Sequence, residues 1–509
     1  MRATGQESVR LFDQPVPFTT MSPSYSTRQK PSFYWYDTET TGLRNSYDRI
    51  IQFAGQRTDL NLNPLGEPLS EYVQLPPEIV PTADSFKITK IRPKTLVDHG
   101  IPEYKLFDRL RLHLQTANTC IIGYNNISFD DNFIRFGMYR NLLPPYEHEH
   151  TRGNSRLDFL SIVRLTGALR PQGLEWPVVD GVPTFALGNL AQANNIPIED
   201  AHDALADVNI TLAFARKLKS AQPKLWHYAY KLRKQKLARE LLDPTARKPV
   251  LHVSAKYGNS RYCIAPVLPI TRHPDMFNRV IVVDLGSNID LLFSNSSDEL
   301  AKLLFESKED EEKTDSQERL NISVVALNQA PMVAVLKTLL PENLKRLNID
   351  RDRIELNCRK LLETPNLAKT LRTIYGERKR ETKSKIAEEA LYDGFISDGD
   401  RTECASFWKE LKNGKSWTNA RFEDSRLKEL HARLKTKIAP QELTESERQD
   451  HYQFVRHQLV RSERNLFDTQ KATKELLQQE ITTEEAVVLQ ELYDHLQQTA
   501  TQYSVGSSH

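Results

Sequence analysis

Four aromatic residues in a row, Phe33-Tyr34-Trp35-Tyr36, run straight into Asp37-Thr38-Glu39-Thr40-Thr41-Gly42. Aromatic residues favour strands, so residues 33–37 are expected to form one. Successive strand residues point to opposite faces, which sends Asp37 and Glu39 the same way. Two carboxylates on one strand face repel each other and cost desolvation unless positive charge lies between them. A hard divalent cation resolves that conflict, because Mg²⁺ takes oxygen ligands and few protein carboxylates. Taken alone, the pair fits a solvated strand end or the cap of a following helix equally well.

Two further acidic positions narrow the choice. Asp130 follows Gly123-Tyr124-Asn125-Asn126 and the apolar run 119–123, which reads as a buried strand. Residues 130–140 have helical spacing, with Phe133, Ile134, Phe136 and Met138 as apolar positions, so Asp130 lies near a helix N-terminus, where an Asp commonly acts as a cap. Further on, His202 stands at or just before a helix expected over 203–218, with Asp207 one turn inside it and Leu205, Val208, Leu212 and Ala215 toward a core. Alone, such a His is structural more often than catalytic, and such an Asp usually faces solvent.

Together, the five positions Asp37, Glu39, Asp130, His202 and Asp207 resemble, in order and spacing, the histidine subtype of the DEDD exonuclease superfamily. The resemblance narrows to bacterial exodeoxyribonuclease I. It is carried by Asp48-Arg49, Gln52-Phe53-Ala54, Ala168-Leu169-Arg170-Pro171, Ala201-His202-Asp203-Ala204, Lys248-Pro249, Val283-Asp284-Leu285 and Tyr392-Asp393-Gly394-Phe395, and it extends over roughly residues 30–500.

That resemblance implies a ribonuclease H-like α/β exonuclease domain at 31–221, an SH3-like β-barrel domain with helical insertions at 222–375, and an all-helical C-terminal domain at 380–503. It implies processive 3′-to-5′ hydrolysis of single-stranded DNA to nucleoside 5′-monophosphates, by a monomer shaped as a clamp. Two Mg²⁺ ions, replaceable by Mn²⁺, would be held by Asp37, Glu39, Asp130 and Asp207, with His202 as general base. Thr40, Thr41 and Leu43 would hold the terminal nucleotide. Tyr124 and Phe129 would line the cleft, and Arg135 and Arg164 would contact phosphates. Arg170, Tyr228 and Lys248 match a groove that takes the acidic C-terminal tail of single-strand DNA-binding protein, whereas Val335, Leu340 and Leu362 replace polar or basic residues expected there.

The rest of the sequence is consistent with this. The chain has 509 residues, 39% hydrophobic and 27% charged, as in a soluble globular protein of several domains. No apolar run approaches the roughly 20 residues of a membrane span. Residues 1–30 are polar and lack the apolar core of a signal peptide, so a disordered tail or a remnant of cloning is expected there, in a cytoplasmic protein. Cys120, Cys263, Cys358 and Cys404 are scattered without metal-ligand spacing and are expected to be reduced. Strands are also expected at 50–57, 71–75, 252–254, 280–285 and 322–327, and helices at 104–114 and 486–496. The net charge of +2 says little, but Lys231, Arg233, Lys234, Lys236 and Arg239 form a basic cluster, either a solvated helix face or a contact for nucleic acid. The acidic run 306–318 is expected to be a solvated loop, and 378–385 a linker. Two rival readings remain: an RNA 3′ exonuclease of the same superfamily, and a non-catalytic scaffold that binds single-stranded DNA.

Overall fold

The computed structural model describes residues 29–198, 203–305, 319–376, 384 and 386–506. The tail up to residue 28, His202, the acidic run 306–318, and the linker except Ser384 lie outside the described residues.

Strand β1 (Ser32–Thr40) is central in a mixed sheet ordered β3-β2-β1-β4-β5. Strands β2 (Ile50–Thr58) and β3 (Leu69–Tyr72) are antiparallel; β4 (Thr119–Gly123) and β5 (Ser155–Asp158) run parallel to β1. Pairing with β2 carries β1 past the aromatic run to Thr40. Strand β3 starts earlier than the sequence pattern suggests, because Leu69–Tyr72 is the stretch that pairs with Gln52–Gly55.

All four aromatics of β1 are buried, so both faces of the strand are covered. Phe33 and Trp35 enter a core with Ile122, Phe159 and Val208 that continues into residues 250–375. Tyr34 and Tyr36 enter another core with Phe53, Phe107 and Phe133, which continues into Phe407, Trp408 and Leu430 of the C-terminal region. The alternation of one strand therefore joins the first sheet to both later domains.

After a short hairpin, β6 (Val178–Val179) and β7 (Val182–Pro183), a second β domain follows, where the resemblance implies an SH3-like barrel. Its strands β8 (Val250–Val253), β9 (Ile264–Arg272), β10 (Arg279–Asp284), β11 (Ile322–Ala326) and β12 (Val333–Val335) form an antiparallel sheet ordered β11-β10-β9-β8-β12. Beyond it the chain is helical: Asp398–Lys412, Ser425–Ile438, Glu445–Leu459, Leu466–Leu477 and Thr483–Gln502. Thr444 with Glu447, and Thr482 with Glu485, form capping boxes that fix two of the helix starts. A hairpin of β13 (Val460–Arg461) and β14 (Arg464–Asn465) interrupts these helices. No helix among the described residues is long and apolar enough to cross a membrane.

Buried ion pairs also tie the helical region to the sheet. Glu78, which follows β3, meets Lys437 of the Ser425–Ile438 helix at 2.9 Å. Burial by itself would raise the Glu78 carboxyl, but the Lys437 charge and hydrogen bond, with the Arg49 charge, outweigh it and hold it at about 2. The Glu78 contribution to stability is thus present above its ordinary value of 4.5 and is lost as pH falls through about 2. Lys437→Met, which leaves a buried carboxylate unpaired, is expected to cost about 3–5 kcal/mol at neutral pH in denaturant unfolding. An unchanged unfolding free energy would show that this pair does not fasten the helical region.

Candidate active site

The two-residue period of β1 continues past the aromatics. Asp37 and Glu39 share the face of Phe33 and Trp35, toward the helix Ala204–Ala221, and Thr38 and Thr40 share the other. At Glu39/Thr40 the register shifts by one residue, with Ile51 as the extra residue on β2, so the pairing is irregular where the β1 carboxylates end.

Asp207 reaches this face because the start of its helix is pinned twice. Asp203 caps the helix, accepting from the amides of Leu205 (3.0 Å) and Ala206 (3.1 Å). Gln52, paired with Glu39 across β1 and β2, donates to Asp203 Oδ2 (2.5 Å) and accepts from the Ala204 amide (3.1 Å). Carboxylate oxygens of Asp37, Glu39 and Asp207 then lie within 4.8 Å of one another.

Asp130 comes from the opposite side, as the first residue of the helix Asp130–Arg140 and not as its side-chain cap. Its Oδ1 accepts the Thr38 hydroxyl at 2.5 Å. Gly123 is needed behind it, because a Cβ there would stand 2.6 Å from the Tyr36 carbonyl.

The electrostatics of the cluster are those of crowded, half-buried acids with the buried Asp130 beside them. Burial, and then the charges of Asp130, Glu39, Asp207 and Asp203, push Asp37 well above the usual carboxylate range. Glu39 is raised to about 8 by burial and by Asp207, Asp130 and Asp203. Asp130 is raised to about 7, burial outweighing its hydrogen bond from Thr38. Asp131, next in the chain, goes the other way: the Arg156 charge and the Tyr36 hydroxyl overcome burial and hold it low. The three clustered carboxylates of Asp37, Glu39 and Asp207 form an all-oxygen donor set, which suits a hard divalent cation better than a soft one.

The other expected residues divide into several groups. Thr40 ends β1, and Thr41 and Leu43 stand in the loop after it, with Leu43 82% exposed at its tip. Gly42 stands here for close approach and not for a left-handed turn: a Cβ would lie 2.6 Å from the Asp48 carboxylate. Tyr124 and Phe129 are half-buried. The Tyr124 hydroxyl donates to the Phe185 carbonyl, and Phe129 packs on Phe133 with ring centres 4.9 Å apart.

Arg135 is buried and pairs with both oxygens of Glu149 (2.6 and 3.0 Å), so it braces the Asp130–Arg140 helix. Arg164 makes no ion pair among the described residues, and its Nε is buried without a partner.

Arg170 and Tyr228 reach β12 and its continuation, and Lys248 lies just before β8, the strand that pairs with β12. Arg170 donates to the Thr338 carbonyl (3.2 Å) and Tyr228 to the Val333 carbonyl (2.8 Å). Exposed Lys248 precedes Pro249, which lines a cleft of about 440 Å³ with Leu336, Ile354 and Leu362. In the basic cluster, Arg233 stacks on Tyr230 and Lys236 faces Glu240, while Lys236 stays exposed.

The family model described as Exonuclease matches residues 34–215, Exonuclease I SH3-like domain matches 233–377, and Exonuclease I C-terminal domain matches 385–499. Exodeoxyribonuclease I of Haemophilus influenzae is 38% identical over 401 residues, 78% of this chain and 84% of that protein. The chain belongs to the exodeoxyribonuclease I family. Among solved exonuclease I structures, a zinc-bound form of an E. coli complex with single-stranded DNA superposes with a TM-score of 0.86, at 32% identity, over 93% of this chain and 100% of that one. A structure of exonuclease I with SSB and an inhibitor gives 0.83, at 31% identity, over 92% and 100%.

Thr38, Gln52, Asp48 and Tyr36 organise this exodeoxyribonuclease I site without having been singled out from sequence. Gln52 and Asp48 stood in family-matching blocks, but only the folded register shows what they touch.

Carboxylates raised by crowding bind protons more tightly in the folded chain. Without a cation, stability therefore falls as pH rises from about 4.5 through about 8, the ordinary and the raised values for Glu39. Asp37→Asn is expected to melt higher than the parent protein at pH 8.5 in EDTA, and to gain less from added Mg²⁺. Equal melting curves in EDTA would show that these acids do not strain the fold.

Proposed function

We propose that this enzyme hydrolyses the terminal phosphodiester at the 3′ end of single-stranded DNA and releases nucleoside 5′-monophosphates. The observation that carries the reading is the Asp37–Glu39–Asp207 cluster with Asp130 beside it, set at the end of β1 in an exodeoxyribonuclease I chain. Asp37, Glu39 and Asp207 would hold one Mg²⁺, with Asp37 shared and Asp130 serving a second; Mn²⁺ offers the same hard chemistry. Such ions, when bound, stabilise charge on the attacking and leaving oxygens.

In this reading His202, adjacent in sequence to the cap residue Asp203, takes a proton from the attacking water, a task suited to a group that titrates near neutrality. Thr40, Thr41 and Leu43 receive the terminal nucleotide. Tyr124 and Phe129 line its path, and Arg164 supplies positive charge. On the family pattern we read the enzyme as processive, monomeric and cytoplasmic, acting in DNA repair and recombination.

The two domains beyond the nuclease favour DNA over the short RNA fragments cut by small relatives of the superfamily. A silent scaffold has no use for crowded acids that repel one another, since replacing them would stabilise the fold. With 3′-labelled single-stranded DNA, Mg²⁺-dependent mononucleotide release is expected, with duplex DNA and RNA cut more slowly. Asp37→Ala should lose on the order of 10³-fold or more in kcat. His202→Ala should be impaired at neutral pH and partly recovered at higher pH. Faster cleavage of RNA, or a full rate in Asp37→Ala, would reject the reading.

We further propose that the β12 edge binds the acidic C-terminal tail of single-strand DNA-binding protein. Lys248 and Arg170 would meet its charge, and the Leu336–Leu362 cleft its aromatic end. Lys248→Glu should weaken a tail peptide by roughly tenfold, about the loss of one charge-assisted contact. Equal affinity in a titration would reject this groove.

A further inference from the structure

The loop after the acidic pair is held by a second domain. Asp48 is fully buried and gathers donors from both sides. The Thr41 hydroxyl (2.8 Å) and the Arg44 amide (2.9 Å) come from the loop itself. Arg464, on the β13–β14 hairpin of the helical region, supplies Nη1 to Oδ1 (3.3 Å) and Nη2 to Oδ2 (3.2 Å), and Nη1 also reaches the Val80 carbonyl (3.3 Å).

The same hairpin grips the loop at another point. Arg44 meets one Glu389 oxygen at 2.9 Å and Arg461 meets the other at 2.5 Å. Arg44, Arg461 and Arg464 all stand 5.4–5.6 Å from the centre of the buried Tyr47 ring, whose hydroxyl accepts the Val80 amide at 2.8 Å. None of these side chains belongs to the acidic cluster, yet the Asp48 carboxylate they fix occupies the space that Gly42 leaves open. A two-pronged contact with a carboxylate sets orientation as well as charge, which a single ammonium cannot do.

We propose that Arg464 is a positioning residue for the exonuclease reaction. By holding Asp48 it sets the Thr40–Leu43 loop against the acidic cluster, so that the rate of the nuclease depends on the helical domain. This rests on the reading of that loop as the seat of the 3′-terminal nucleotide. Other domains would still bind the body of the strand, so loss of the clamp is expected to show in turnover and not in affinity.

The test compares full-length Arg464→Met, Arg464→Lys, the double variant Asp48→Asn/Arg464→Met, and Leu43→Ala. Each is assayed on 3′-labelled single-stranded DNA well below its melting temperature, with DNA affinity measured in EDTA and the Mg²⁺ dependence of the rate recorded. Arg464→Met is expected to lower kcat on the order of 10- to 100-fold, the scale of a reacting group misplaced by about an ångström, while DNA affinity and Mg²⁺ half-saturation stay within about twofold. Arg464→Lys should recover part of the rate. The double variant, which leaves no unpaired buried carboxylate, should melt near the parent protein and remain slow. A parental kcat in Arg464→Met or in the folded double variant overturns the proposal, as does a loss of DNA affinity in proportion to kcat. Parental kinetics in Leu43→Ala would remove the loop reading itself, whereas a slow Leu43→Ala beside a fast Arg464→Met rejects the role of Arg464 alone.

Discussion

The two-residue period of β1 is the constraint on which the rest of the molecule depends. Phe33 and Trp35 bury into the core shared with the SH3-like domain, and Tyr34 and Tyr36 into the core shared with the helical domain. The same period delivers Asp37 and Glu39 to one face and Thr38 to the other, where it meets Asp130. A slip of one residue would exchange the two cores and turn both carboxylates away from Asp207. Fold and site are therefore specified by one register, and neither can drift without the other.

Acids withdrawn from solvent, wholly or in part, follow two opposite rules in this protein. Glu78, Glu103 and Asp131 each face a cation: Lys437, Arg140 and Arg156 lie within 2.9 Å or closer, and their carboxyls are held low. Asp37, Glu39 and Asp130 face one another, and their carboxyls are pushed up. Burial opposes ionisation in both groups, so the difference lies in the partner. The fold tolerates the repulsive cluster because paired ions and continuous apolar cores secure the elements around it. Such a local departure from optimal stability marks a functional site.

Arg135 shows how far a motif can be carried. It lies in a helix that the family resemblance places beside the site, and its type suits a phosphate. In the folded chain both prongs of its guanidinium are taken by Glu149, which is 14 residues away in sequence and came from no motif. The charge of a side chain can be read from sequence, but its availability cannot, because that depends on what folds against it. Asp48 teaches the converse: its partner Arg464 lies 416 residues further along the chain.

The sequence by itself determined the strand that starts the nuclease sheet, the order of an α/β stretch, a run of strands and a helical stretch, and the acidic residue types that draw a hard cation. These are legible because they arise from local periodicity and from short spacings within single elements. Only the tertiary structure decided that Asp207 closes on Asp37 and Glu39 through Gln52 and Asp203, that Thr38 holds Asp130, and that the helical domain reaches back to the loop at Gly42. Each of those contacts joins residues far apart in sequence, and their geometry is set by packing across three domains, which no local pattern encodes.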